Sequence, residues 1–181
     1  NADYSCIKGF CPSFVSVEGV TPRKSQSVRL DAADFEDSLP EPSRPPLQKV
    51  RNILITGIGG TGVITIGALL GMAAHLEGKG ISVLDMTGMS QKNGSVTSHV
   101  RIARKASDIK AQRIPTGEAD LLLGCDMLTA GAPDAISRMH SGRTYALVNT
   151  FEQPTGQFAQ DPNWVFPAHS VQSLLSKATG S

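Results

Sequence analysis

The sequence has no excess of acidic or basic residues, is poor in aromatic rings and has no long apolar run. Its 17 lysines and arginines stand against 16 aspartates and glutamates, for a net charge of +1 over 181 residues. Neutralising a phosphate backbone needs a basic face or stripe, so the arithmetic argues against a dedicated nucleic-acid binder. Aromatic residues make up 5% of the chain. The longest strongly apolar stretch, Val63 to Ala74, is interrupted by Thr65, Gly67 and Gly71. It is too short to cross a bilayer, and no membrane partner is expected. Only three cysteines occur, Cys6, Cys11 and Cys125, and a chain of this length can bury a core without disulfides. The four histidines, His75, His99, His140 and His169, are scattered, with no metal-ligand spacing among them. The chain opens on Asn1 without a Met, a basic start or an apolar leader. A cytoplasmic home is therefore the expectation, and both ends read as cuts from a longer polypeptide.

Composition then divides the chain. Six of the eleven prolines, Pro12, Pro22, Pro40, Pro42, Pro45 and Pro46, fall in one segment with Asp31, Asp34, Glu36 and Asp37. Such a segment cannot sustain a helix or a central strand. Residues 12–49 read as a Pro-rich acidic linker, with a short strand near Phe14 to Val17, and residues 50–181 as the folded domain.

Within that domain, Asn52 to Thr56 is a continuously apolar run ending in Gly57, as a buried parallel strand does. Thr61 to Glu77 is apolar nearly all round, which predicts a helix covered on most sides, stopped by Gly78 and Gly80. Ile81 to Asp85 is a second strand, completing a strand, helix, strand unit of the right-handed crossover type. Further strands are expected at Ser95 to Ile102, Asp120 to Leu123 and Tyr145 to Asn149. In the first, Val96, Val100 and Ile102 alternate with Thr97, His99 and Arg101, so one face should see solvent, a ligand or a partner, and the strand should be exposed or antiparallel. A helix should cover Asp126 to His140, broken or restarted at Pro133, and a last one Ser170 to Lys177. The pattern predicts a three-layer α/β/α, Rossmann-like domain with a mostly parallel sheet and an extended N-terminal linker.

Two loops carry the functional signal. Gly57-Ile-Gly59-Gly60-Thr61-Gly62 has the spacing G-x-G-x-x-G between a predicted strand and a predicted helix. The first glycine permits a tight turn, the second lets backbone N–H groups approach an anion, and the third allows helix and strand to pack closely. Asp85 sits where a dinucleotide fold carries its ribose-binding acid, so an NAD(P)-binding dehydrogenase domain is one reading. Without the linker roughly 130 residues remain, too few for a separate substrate domain. Another reading has the glycines serving helix packing alone. The second loop, Met86 to Val96, is rich in donors (Thr87, Ser90, Gln91, Lys92, Asn93) that suit a phosphate or a partner's backbone, or else form a solvated connection. Cys125, after Leu121 to Gly124, reads as a small buried hydrophobe.

Taken in order, Gly57 to Val63, Thr87 to Val96 and Ser98-His99-Val100-Arg101-Ile102 resemble the gamma domain of the 2-oxoacid:ferredoxin oxidoreductases. The closest likeness is to the fused-chain form known as indolepyruvate ferredoxin oxidoreductase. Tyr4 to Val15 is similar to the segment that ends the thiamine-diphosphate and iron–sulfur region of that form, which places residues 1–11 upstream of the linker. The resemblance implies oxidative decarboxylation of an aryl 2-oxoacid to the acyl-CoA, with electrons passing to ferredoxin. It implies thiamine diphosphate, 4Fe-4S clusters and CoA in the intact enzyme, with other domains or subunits of the same oxidoreductase as partners. Cys6 and Cys11 become cluster ligands there, although two thiolates alone do not complete a cluster. Gly57, Gly59, Gly60, Thr61, Gly62, Gln91, Asn93 and Gly94 become the candidate binding residues. No catalytic residue and no bound cofactor is expected on this stretch itself. A structural oligomerisation module, able to form a homodimer, is the remaining alternative.

Overall fold

The computed structural model describes residues 18–19, 39–41, 43, 46–88, 94–152, 161 and 163–180. The chain divides into two compact units, residues 1–44 and 45–181. The few described residues of the first lie in no helix or strand, and the strand expected near Phe14 to Val17 lies outside the described residues. The second unit runs β1 (Arg51–Ile58), α1 (Val63–Leu76), β2 (Gly80–Thr87), β3 (Ser95–Ala103), a 3-10 turn (Ala106–Asp108), β4 (Leu121–Gly124), α2 (Met127–Ala130), α3 (Pro133–Arg138), β5 (Tyr145–Val148) and α4 (Ala168–Thr179).

The five strands lie in the order β2-β3-β1-β4-β5. β1 pairs parallel with β4, and β4 with β5, but β3 runs antiparallel to both β1 and β2. The expectation of a mostly parallel sheet is therefore corrected: the sheet is mixed. The predicted strand, helix, strand unit is present, with α1 carrying the chain from β1 to a β2 that runs the same way, but β3 lies between the two strands. The physical cause is the short β2–β3 connection, which returns the chain as a hairpin and leaves it no helix with which to cross the sheet.

Leu54 and Ile55 are successive residues of β1, both fully buried, and they point to opposite faces. Ile55 meets Val63 and Val100 beneath α1, while Leu54 meets Leu122, Ile114, Ala130, Ala135 and Leu175 beneath α2, α3 and α4. Each such side chain contributes about 1.5–3 kcal/mol by leaving water. Helices thus flank both faces of the sheet. Pro133 does restart the predicted helix: α2 ends at Ala130, and Pro133 opens α3 at a first-turn position where its missing N–H costs nothing. Gly78, at φ 67°, sends its N–H back to the His75 carbonyl (2.9 Å) and ends α1. Gly80 leaves no room for a Cβ against the backbone of Lys105 and Ala106.

Two further expectations change. The outer side of α1 is exposed rather than covered, and His75 lies on it. The polar face of β3 sees neither solvent nor an opening at His99 and Arg101, both of which are buried. Central position explains this, because a strand with neighbours on both sides and helices above and below has no wet face. The polar groups are absorbed internally. Arg101 donates from Nε to Asn52 Oδ1 (2.9 Å) and from Nη1 to the Ala111 carbonyl (2.6 Å). Asn52 in turn donates from Nδ2 to the Glu118 carbonyl (2.8 Å) and from its backbone to Asp120 Oδ2 (2.9 Å). Arg143 Nε donates to the other oxygen of Asp120 (3.1 Å). This network ties the long β3–β4 connection to the start of β1.

His99 Nδ1 accepts from the Ile114 N–H (3.2 Å), while its Nε2 is buried without a partner. Burial pushes its pKa down to about 4, helped by the nearby Arg113 and Arg138 guanidiniums and opposed by Asp134. Asp134 is itself held below the ordinary carboxylate range, chiefly by its hydrogen bond from Arg138 (2.8 Å). The ring is therefore neutral in the fold.

Two predictions follow from these buried groups. Because the folded pKa of His99 lies below its unfolded value, its stabilisation is complete above pH 6.5 and is lost as the pH falls toward about 4. His99→Asn keeps an acceptor for Ile114 and should flatten urea-unfolding stability across that window, removing a loss of up to about 3 kcal/mol. Arg101→Met leaves Asn52 Oδ1 and the Ala111 carbonyl unpaired and should lower unfolding free energy by about 2–4 kcal/mol.

Candidate functional site

After β1 the chain turns to α1 on one face of the sheet; after β4 it turns to α2 on the other. The carboxyl ends of β1 and β4, paired in parallel from Ile53–Leu121 to Thr56–Gly124, thus mark a point where the connections diverge. In open α/β sheets such a point leaves a crevice where ligands bind. The glycine loop Gly57–Gly62 lies on one side of it and Cys125–Asp126 on the other.

The glycines divide the work differently from the sequence expectation. Gly57, the first, is the packing glycine: a Cβ there would meet Val63 Cγ2 at 2.6 Å, Cys125 Cβ at 2.9 Å and the Thr61 hydroxyl. Gly60 and Gly62 are the conformational ones, at φ 96° and 89°, and a Cβ on either would meet nothing within 4 Å. Close packing thus moves from the last glycine to the first, because the last residue of the motif is the N-cap of α1 and lies out in the open. Gly59 uses its N–H on the Gly94 carbonyl (2.8 Å), so that donor is taken within the protein. Thr61 donates both its N–H (3.0 Å) and its Oγ1 (2.6 Å) to the Ile58 carbonyl.

The free donors are therefore at the head of α1. This helix has no side-chain cap and no acid in its first turn, so its first N–H groups and positive end face the loop uncompensated. A cleft of about 240 Å³ opens there between Gly60, Gly62, Ile64, Thr65 and Val96. A wider groove of about 400 Å³ lies at the far edge of the sheet, between β5 and α4. Arg143 on its wall is already engaged by Asp120.

Asp126 is the residue the sequence reading passed over. Its buried carboxylate accepts from the Ile58 N–H (2.8 Å), the Thr129 N–H (2.9 Å) and the Thr129 hydroxyl (2.6 Å). It caps α2 and in the same act fixes the start of the glycine loop. The signal was present as Asp126-x-x-Thr129 before an apolar run. Cys125, half-buried against the Ile55 cluster as expected of a small hydrophobe, has its thiol pushed up by burial, with Thr61 working the other way and Asp126 adding to it.

The structure brings together Gly57, Gly59, Gly60, Thr61, Gly62 and Gly94. Gly88 and Gly94 bracket the second loop, with Gly88 N–H on the Ser95 carbonyl (3.1 Å). Gln91 and Asn93, with Ser90 and Lys92, lie outside the described residues, as do Cys6 and Cys11. His99 is turned away from the loop toward Ile114. Asp85 does not adjoin β1: it pairs with Ser98, which pairs with Ile55, so a whole strand separates it from the strand that carries the glycines. That is about 10 Å sideways. The dinucleotide reading loses its ribose partner there. Among the described residues no group of three or more His, Cys, Asp or Glu is placed to hold a metal ion, and no helix is long and apolar enough to cross a membrane.

The roles assigned to Gly57 and Gly60 make a paired prediction. Gly57→Ala forces Val63 and Cys125 apart and should cost about 2–3 kcal/mol of unfolding free energy. Gly60→Ala, strained only in its backbone, should cost about 1 kcal/mol. Denaturant titrations giving equal losses would refute the division of labour.

Comparison with known proteins now bears on the whole domain. An indolepyruvate oxidoreductase subunit IorB from Methanothermobacter thermautotrophicus is 31% identical over 130 residues, covering 72% of this chain and 63% of that protein. The subunit of the same name from Thermococcus kodakarensis is 40% identical over 82 residues, covering 45% of this chain and 39% of that protein. The chain thus spans between about two fifths and just under two thirds of these relatives. Among solved structures, the pyruvate oxidoreductase subunit PORC of Thermotoga maritima aligns with a TM-score of 0.46 at 19% identity, over 74% of this chain and 58% of that one. The sequence profile of the pyruvate ferredoxin/flavodoxin oxidoreductase family matches residues 52–172, more than half of the chain and the whole span from β1 into α4, and the chain belongs to that family.

Proposed function

We propose that this chain is an accessory, gamma-type domain of an indolepyruvate-type 2-oxoacid:ferredoxin oxidoreductase, an enzyme that converts an aryl 2-oxoacid to its acyl-CoA and passes the electrons to ferredoxin. The observation that carries the reading is the family match running continuously through the glycine loop and the second loop. The relatives bearing the indolepyruvate name support the substrate class. In this reading residues 1–11 end an upstream thiamine and iron–sulfur region, residues 12–49 link it to the domain, and Cys6 and Cys11 ligate a cluster in the intact enzyme.

Thiamine diphosphate, when bound by companion domains, supplies the carbanion chemistry of such an enzyme. The residues of this chain do something simpler. The uncapped head of α1, presented by Gly60 and Gly62, offers N–H donors and a positive end to an anion. A phosphate of CoA suits it, and Gln91 and Asn93 are assigned to the same task from the second loop. Gly59 and Gly94, bonded to each other, hold the two loops in register. Asp126 and Thr61 keep the glycine loop from collapsing onto the crevice.

In the intact enzyme, Gly62→Val should raise the KM for CoA by about tenfold or more, by closing the approach to the helix head, while leaving thiamine occupancy unchanged. An unchanged KM would remove CoA from the loop. Nicotinamide binding by this chain tighter than about millimolar, abolished by Asp85→Ala in calorimetry, would replace the proposal with a dehydrogenase domain.

A further inference from the structure

The outer face of α1 carries no Lys, Arg, Asp or Glu from end to end. Its sheet side buries Val63, Gly67 and Ala74, while Ile64, Leu69, Met72 and Leu76 stand 46%, 65%, 58% and 78% exposed on the other. Thr65, Leu69, Met72 and Leu76 recur at intervals of four, three and four, the seam by which two helices interlock. Ala68 and Ala73 flank that seam, exposed and small enough to let a second helix backbone approach closely. No Lys, Arg, Asp or Glu falls between Thr61 and Leu76. Single exposed apolar side chains are ordinary, but a stripe along a helix of 14 residues, about 21 Å, marks an interface.

We propose that this face docks on the same face of a second copy of the chain, the two α1 helices lying antiparallel across a two-fold axis. Three observations favour that occupant. The seam is self-complementary under such an axis: Leu69 falls opposite Met72 of the second copy and Thr65 opposite its Leu76, twice over. The flanking positions, where Lys, Arg, Asp or Glu would select a different partner or repel a copy, carry Ala68, Ala73 and His75 instead. The helix ends also complement one another. α1 begins with no cap and no acid, yet ends in Glu77, a carboxylate at its own negative end. An antiparallel copy brings each Glu77 toward the other's uncapped positive end, relieving both. Lys79 lies past that end, its N–H turned back to the Ala74 carbonyl (2.9 Å). The seam is one helix wide, less than the ~1,200–2,000 Å² of a standard interface, so the pairing is concentration-dependent.

The test is sedimentation equilibrium of the full 181-residue chain from ~10 to ~500 µM, the range expected for so small an interface. Wild type should pass from monomer toward dimer. Leu69→Lys and Met72→Glu, both on the exposed face, should each weaken association by at least about tenfold with unchanged circular dichroism and melting temperature. An equimolar mixture of the two variants should dimerise again, because the antiparallel register sets Lys against Glu. Wild type that stays monomeric at the highest concentration overturns the proposal and assigns the face to a different domain. A dimer that ignores both substitutions, or variants that the mixture does not rescue, overturns it as well. The association is read with no ligand present, so its outcome stands apart from the CoA kinetics, although a docked Glu77 and a bound phosphate exclude one another at the head of α1.

Discussion

The domain is organised around one place where there is no room. At Gly57 the last residues of β1 come within van der Waals reach of Val63 at the head of α1 and Cys125 at the end of β4, and a single methyl group would push them apart. Everything near the candidate site inherits its position from that contact. The head of α1 can point back over the sheet end only because β1 and the helix approach so closely. The parallel pairing of β1 with β4 carries Asp126 to the same spot, where its carboxylate completes the arrangement with three hydrogen bonds. Packing and hydrogen bonding reinforce each other there, and the loop is rigid before any ligand arrives.

A second constraint is the antiparallel β3. Its insertion between β1 and β2 gives the domain a central strand rich in polar groups, some of them paired inside the fold and others, His99 Nε2 and Ser98 Oγ, buried without a partner. Arg101 is absorbed by Asn52 and a backbone carbonyl, and His99 is kept uncharged by burial and by the neighbouring guanidiniums. The same insertion pushes Asp85 out to an edge strand. A glycine pattern shared with dinucleotide-binding proteins therefore sits in a sheet that cannot bring the ribose acid beside it. The loop therefore leads into an uncapped helix head with no ribose acid beside it.

The external surfaces carry exposed apolar side chains in two places. A helix face without Lys, Arg, Asp or Glu and the exposed Tyr145 and Leu147 of edge strand β5 are poor surfaces to leave in water. They are also spatially distinct, since α1 packs over β1, β2 and β3 while β5 lies at the opposite margin. The domain thus carries two separate exposed apolar margins.

Much of this was legible in the residues. Local signals fix local structure: an apolar run before Gly57 made β1, Gly78 ended α1, and Pro133 divided the helix that follows β4. The ordered pair of loops carried the family. What the sequence could not decide was strand order and which face of each element would be covered. The periodicity of Val96 to Ile102 is the same whether a strand is wet on one side or buried on both, and an apolar helix reads alike whether its outer face meets protein or water. The spacing G-x-G-x-x-G does not say which glycine packs and which bends. Those choices depend on contacts between residues far apart in the chain, Gly57 with Cys125, Ile58 with Asp126 and Arg101 with Asn52, and such contacts exist only once the sheet has assembled.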